Sequence, residues 1–229
     1  MRPACGAILP TGRYGVNHFD PYPFTSVALT RPPRTICRPR PICLYGGMPD
    51  QEPLAADELL DIVDERDRVV GQARRAEATA RRLRHRCAFV LVRDGADRIF
   101  VHRRTDRKLV FPSKYDLFVG GVVGAGESYD QAALREAEEE LGVSGLPAPQ
   151  PLFGFLYESP EHTWWSRVYQ VRCERPVAPQ ESEIAWHAFL TEEEVADRLD
   201  GWDWVPDGLE AYRRLLSWRA GEAGRHAPS

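Results

Sequence analysis

Lysine is almost missing from this chain. Lys108 and Lys114 are the only two, and arginine supplies the rest of the 30 basic residues. We read that skew as GC-rich coding bias rather than function. Long hydrophobic runs are missing too: no stretch approaches about 18 apolar residues, which argues against a transmembrane helix. There is no basic excess, since the formal net charge is −4 at pH 7. A positive field that would draw a nucleic-acid polymer or a membrane surface is therefore not expected. Cysteine is scarce, with five residues in no paired or metal-type spacing. That argues against a disulfide framework and for free thiols in a reducing compartment, which we take as the cytoplasm. No internal repeat is present. The remainder, 43% hydrophobic and 28% charged over 229 residues, fits a soluble globule of one domain with or without an appendage.

The first 47 residues lack acidic side chains apart from Asp20, and they lack helical or strand periodicity. They hold eight prolines, six arginines and three cysteines, Cys5, Cys37 and Cys43. Such a composition predicts no packed structure. It also lacks the charged head, apolar stretch and small-residue cleavage site of a secretory leader. Met48 follows at once, so we expect residues 1–47 to be an upstream extension, with translation starting at Met48. A transit peptide is the other reading of an arginine-rich, acid-poor segment, although its prolines oppose an amphipathic helix. Residues 48–220 are the expected single domain and residues 221–229 a frayed tail.

Within the domain, strands are expected at 59–65, 69–70, 87–92, 99–102, 115–123, 152–157, 166–173 and 184–190. Helices are expected at 74–83, 192–199 (opened by Thr191 and its capping partner Glu194) and 206–220. Strands and helices mix without regular alternation. The fold class is α+β, a mixed sheet packed between helices.

Residues 121–143 read GVVGAGESYDQAALREAEEELGV. Ser128 and Gln131 form a capping box that starts a helix. Leu134, Ala137 and Leu141 give it an apolar stripe, and Gly142 supplies a stop able to take φ > 0. Glu136, Glu139 and Glu140 then share one face, at i, i+3 and i+4. Like charges so placed repel by roughly 0.2–0.5 kcal/mol per pair. One reading is a solvated acidic face. The other is a divalent-cation site, because hard cations such as Mg²⁺ prefer carboxylate oxygens.

The full spacing resembles the Nudix box, Gly-x5-Glu-x7-Arg-Glu-U-x-Glu-Glu-x-Gly-U, where U is aliphatic or small. Gly121, Glu127, Arg135, Glu136, Glu139, Glu140 and Gly142 meet every fixed position. Seven such matches arise by chance on the order of 10⁻⁸ per start position. The resemblance implies an α/β/α sandwich and a hydrolase that cleaves a pyrophosphate linked to another moiety, by attack of water at phosphorus. It implies Mg²⁺ or Mn²⁺ as cofactor, held by Glu136, Glu139 and Glu140 with the Gly120 carbonyl. Glu139 is the expected group to orient or deprotonate the water. Arg135 is counted beside Glu139 and Glu183 among the catalytic residues, although its pairing with Glu127 also reads as a brace for the loop. Glu183, before a strand, is the candidate for an assisting glutamate outside the box, or else a solvated loop acid. A small-molecule diphosphate is the implied substrate, and a homodimer is among the implied assemblies.

Looser matches at Asp61–Asp67, Val70-Gly71, His85-Arg86, Arg103-Arg104-Thr105 and Lys108 resemble the isopentenyl-diphosphate-isomerase-like branch. The isomerase itself carries a Cys and a His where this chain reads Asp116-Leu117-Phe118-Val119-Gly120-Gly121. Without that Cys, protonation opposite a base loses one of its two groups. Isomerase activity and a non-catalytic nucleotide-binding module remain the alternatives. Arg103, Arg104 and Lys108 are candidates for substrate phosphates, or else mark a solvated strand end. Trp164-Trp165 read as edge-strand packing or a stacking platform. His85 reads as structural, and Cys87 as a buried, inert thiol.

Overall fold

The computed structural model describes residues 55–225. The expected extension at 1–47 with its three cysteines, and residues 226–229 of the expected tail, lie outside the described residues. β1 (Leu59–Val63) and β2 (Val69–Arg74) form an antiparallel ribbon. The main sheet is built from β3 (His85–Arg93), β4 (Ile99–Arg104), β5 (Tyr115–Asp116), β6 (Val119–Val122), β7 (Gln150–Glu158), β8 (Thr163–Arg172) and β9 (Ile184–Leu190). Its path runs β5-β4-β3-β8-β7, with β6 also on β3 and β9 on β4. The β3–β8 pair is parallel over its whole length and the other pairs are antiparallel, so the sheet is mixed.

Helices α1 (Arg75–Ala80), α2 (Tyr129–Leu141), α3 (Glu192–Ala196) and α4 (Pro206–Arg225) complete the described fold. Side-chain alternation along β3 explains why both faces are covered. Ala88, Val90 and Val92 pack with Ala132, Ala133, Ala137 and Leu141 of α2. Cys87 and Leu91 pack on the opposite side with Ala211, Tyr212 and Leu215 of α4. The architecture is α+β, helices on both sides of a mixed sheet. None of the described helices is long and apolar enough to cross a membrane.

The expected strand at 115–123 is two strands. The Asp116 carboxylate accepts hydrogen bonds from the Leu117 and Phe118 backbone N–H groups at 2.8 and 3.2 Å. That turn breaks the strand and hands the chain from β4, which β5 pairs, to β3, which β6 pairs. The expected helix at 74–83 is shorter. Arg82 sits at φ 51°, and the Leu83 N–H donates to the Ala78 carbonyl at 2.8 Å, a left-handed stop made without glycine. The ribbon strand β2 is longer than the expected pair Val69-Val70, because backbone pairing with β1 extends it to Arg74. Trp164 and Trp165 are not on an edge: β8 lies between β3 and β7. The last helix runs to Arg225, past the expected end at 220.

Two buried acids lie where α4 meets β5. Asp116 and Asp207 are both almost fully buried, and a Cβ on Gly208 would run into the Asp116 carboxyl. Burial, reinforced by the charge of Asp207, pushes Asp116 up to about 8. Burial likewise pushes Asp207 up to about 6.

Two outcomes follow. Gly142 closes α2 in the left-handed region at φ 62°, where a Cβ would overlap the Ala178 carbonyl. Gly142→Ala is expected to lower stability by about 2–4 kcal/mol in urea denaturation, from left-handed strain plus overpacking. The raised Asp116 pKa means that the folded chain holds a proton the unfolded chain has released. Its stabilising contribution is full below pH 3.8 and lost as pH rises through about 8. Asp116→Asn removes that loss, so its urea midpoint should gain on that of the parent protein between pH 5 and pH 9. A constant difference over that range would contradict the assignment.

Candidate active site

The register of α2 is set at both ends before any charge is placed. Ser128 Oγ accepts from the Gln131 backbone N–H at 3.2 Å, and Gln131 Oε1 accepts from the Ser128 N–H at 2.9 Å. Gly142 stops the other end. With Ala133, Ala137 and Leu141 buried on the sheet side, Glu136, Glu139 and Glu140 are carried to the rim of the sheet where β6 ends. Glu140 is 4% exposed, Glu136 is half-buried as a residue with its carboxyl tucked in, and Glu139 is open to solvent. Glu138 leaves this group and accepts from the Leu146 N–H at 2.9 Å.

Arg135 organises the helix face. Its Nε and Nη2 bind both oxygens of Glu127 at 2.9 Å. Its Nη1 reaches Glu136 at 2.8 Å and Glu139 at 3.3 Å. Glu127 in turn accepts from the Gly124 N–H at 3.0 Å, which ties the loop to the helix. Glu136 lies so close over Gly121 that a Cβ there would sit 2.7 Å from its Oε1. Only glycine permits that approach. Lys108 donates to Glu140 Oε1 at 3.2 Å and also pairs with Glu183. Glu140 Oε2 accepts from the Gly120 N–H at 3.3 Å.

No three His, Cys, Asp or Glu side chains among the described residues are gathered into a ready-made metal cage. The carboxylates are drawn instead toward Arg135 and Lys108. Yet Glu127, Glu136, Glu139, Glu140 and Glu183 share only these two cations as ion-pair partners among the described residues. The surplus of negative charge has a visible cost. Burial, and then the neighbouring Glu140, push Glu136 up to about 7. Burial also opposes charge on Glu140, but Lys108, His102 and Arg104 outweigh it and hold that carboxyl below its usual range. Burial lowers the Lys108 ammonium. A hard divalent cation fits this donor set, because it answers the excess charge with oxygen ligands alone.

These groups rim a cavity of about 360 Å³ that runs inward between β3, β8 and α4. The structure brings Arg104, Lys108, Glu183, Gly120 and Gly121 to it together with Arg135, Glu136, Glu139 and Glu140. Glu127 and Gly142 stand behind the rim as braces. Arg103 does not reach it. Side chains alternate along β4, so consecutive arginines diverge. The Arg103 Nε–H donates to the Ser113 carbonyl at 2.9 Å, and its guanidinium lies 5.9 Å from the Tyr115 ring centroid. His85 and Cys87 both line the wall. His85 Nδ1 is 2.9 Å from the Leu83 carbonyl, and burial pushes the Cys87 thiol well up.

Sequence reasoning missed Arg107, Asp116 and Asp207, and left Trp164 between edge-strand packing and a stacking platform; all four line the cavity. A signal existed for Asp116, an acid inside an otherwise apolar strand pattern. Asp207, behind Pro206, looks like any acid in a first helical turn. Arg107 lies in a loop whose course only the fold reveals.

The family model described as the NUDIX domain matches residues 83–211. An uncharacterized Nudix hydrolase of Streptomyces coelicolor is 67% identical over 166 residues, covering 72% of this chain and 92% of the relative. The uncharacterized Nudix hydrolase YfcD of Escherichia coli K12 is 39% identical over 178 residues, covering 78% of this chain and 96% of the relative. The crystal structure of DR0079 from Deinococcus radiodurans superposes with a TM-score of 0.59 at 34% identity, covering 69% of this chain and 98% of the other. With the box on α2 and a family model spanning more than half of its length, the chain belongs to the Nudix family.

Proposed function

We propose that the chain is a divalent-metal-dependent hydrolase of a pyrophosphate linkage, acting by attack of water at phosphorus. One observation carries this reading: an under-compensated set of carboxylates stands at the mouth of a cavity whose rim also bears Arg104, Arg107 and Lys108. Cations and anions at one opening suit a ligand that is itself anionic and arrives with a metal. Glu136, Glu139 and Glu140, with the Gly120 carbonyl, would hold Mg²⁺ or Mn²⁺. Such an ion, when bound, supplies Lewis-acid polarisation of a phosphoryl oxygen and a lowered pKa for bound water.

The chain's own groups divide the remaining work. Glu139 is the most open of the three and is our choice to orient the water and take its proton. Glu183 stands across the mouth, tied to Lys108, and is placed to assist. Arg104 and Arg107 offer forked donors to phosphate oxygens; Arg103 drops out of this role because it faces elsewhere. Arg135 acts through Glu127, Glu136 and Glu139 and is a positioning residue. Lys108 moves from Glu140 and Glu183 toward phosphate when substrate enters. Cys87 gives no support to isomerase chemistry, since its buried thiol resists ionisation. The two described cysteines, Cys87 and Cys173, are buried free thiols, in keeping with a reducing cytoplasm.

A screen of X-linked diphosphates, with products identified by mass, should yield turnover with Mg²⁺ or Mn²⁺ and none after chelation. Glu139→Gln is expected to lower kcat by on the order of 10²–10⁴-fold with an unchanged melting temperature. Glu140→Gln should lose turnover to a similar degree. Full activity of both variants would remove the proposed roles. Ligand-dependent melting shifts without any product would favour a non-catalytic binding module instead.

A further inference from the structure

Away from the glutamates, the inner wall of the cavity is polar, although nothing in the hydrolytic chemistry requires it. Asp116, Asp207 and Trp164 all line it. The Trp164 indole N–H is buried against the Asp207 carboxyl, but that contact falls short of a full hydrogen bond, and no other described group accepts from it. A donor so incompletely met at that depth is costly unless a guest completes its bonding. Asp116 uses one oxygen, Oδ1, for its two backbone contacts, and its Oδ2 accepts nothing from the described residues. Asp207 accepts from the Gly208 N–H at 3.1 Å on Oδ1 alone. The wall thus offers the incompletely met Trp164 N–H and two under-used carboxyls, with the unmet Nε–H of Arg104 also on the lining, and the rings of Phe89 and Phe118 flank it.

Resting on the reading of the mouth as a diphosphate site, we propose that this inner wall selects the moiety attached to the diphosphate, and that it takes a hydroxyl-bearing group such as a sugar ring. A hydroxyl alone satisfies the whole set, because it donates to a carboxylate and accepts from the indole N–H. An ammonium group serves the carboxyls but leaves the indole unmet. A hydrocarbon tail leaves all three unmet and buries the acids against apolar surface, which a site built for hydrogen bonds rejects strongly. The raised positions of Asp116 and Asp207, near 8 and 6, agree with carboxyls still short of partners. The flanking rings give a sugar its apolar face.

Three monosubstituted diphosphates separate the cases: ribose 5-diphosphate, 2-aminoethyl diphosphate and dimethylallyl diphosphate. Hydrolysis in the presence of Mg²⁺ is compared for the parent protein, Trp164→Phe and Asp207→Asn. The parent protein should favour ribose 5-diphosphate over dimethylallyl diphosphate by about tenfold or more in kcat/KM. Trp164→Phe and Asp207→Asn should each cut kcat/KM for the ribosyl compound by about 10–100-fold and leave the dimethylallyl compound within about threefold. Equal losses on all three substrates, or a parent preference for the aminoethyl or dimethylallyl compound, would overturn the proposal. If the parent protein hydrolyses none of them and the broad diphosphate screen also yields no product, the hydrolase reading fails by itself. Recognition is then read from melting temperature with the same compounds and Mg²⁺. A ribosyl-specific rise that both variants reduce sustains the proposal, and equal shifts overturn it.

Discussion

Everything at the mouth of the cavity depends on too few cations holding too many carboxylates. Arg135 spans Glu127, Glu136 and Glu139, and Lys108 spans Glu140 and Glu183. Desolvation makes the imbalance costly, because charge in a poorly hydrated site is either paired or neutralised. Glu136 bears that cost most visibly, held near neutrality in its pKa by burial and by Glu140. The chain tolerates the strain because the backbone leaves no alternative. Gly121 admits the Glu136 carboxyl, the capping box fixes where α2 begins, and Gly142 fixes where it ends. Surplus negative charge held in place by a rigid scaffold is an arrangement primed for a cation, and it links the local structure of one helix to the chemistry proposed for the whole site.

The scaffold divides labour between two layers. The layer under α2 holds the charged face, and its contacts are small: Ala88, Ala132, Ala133 and Ala137 allow close approach of helix and sheet. The layer under α4 is richer in aromatic rings, with Phe118, Tyr157, Trp164 and Trp204 among its members. The cavity opens at the junction of these two regimes. Reactive groups therefore stand on the α2 side, while the groups we assign to recognition line the aromatic α4 side. A substitution on the α4 side can reshape the guest pocket without moving a carboxylate of α2.

How much of this was legible depended on the range of the interaction. Local rules located α2 and its caps, because a capping box, an apolar stripe and a terminal glycine all fall within one stretch of chain. The central strand β3 and its partner β4 were equally legible from their apolar runs. The break at Leu117-Phe118 was not, since it arises from one side chain competing for backbone N–H groups that a strand would use. The position of β8 escaped for a different reason: its parallel pairing with β3 joins residues some eighty positions apart, and no local pattern encodes that neighbour. The same distance hid the cavity, whose inner wall comes from β5, β8 and α4. Arg103 and Arg104 illustrate the intermediate case, where the residue types were readable but a one-residue step on a strand separated their directions.

The parallel join of β3 to β8 has a kinetic meaning as well. Antiparallel neighbours can zip from a short turn, but a parallel pair must close the long intervening chain before any contact rewards it. Here that intervening chain carries the box loop, α2 and β7. The loop-closure entropy thus falls on the step that brings Trp164 of β8 beside His85 of β3 and so completes the inner wall of the cavity. The expected consequence is that the enclosed wall of the cavity, more than the charged face of α2, is completed late in folding, with the global structure.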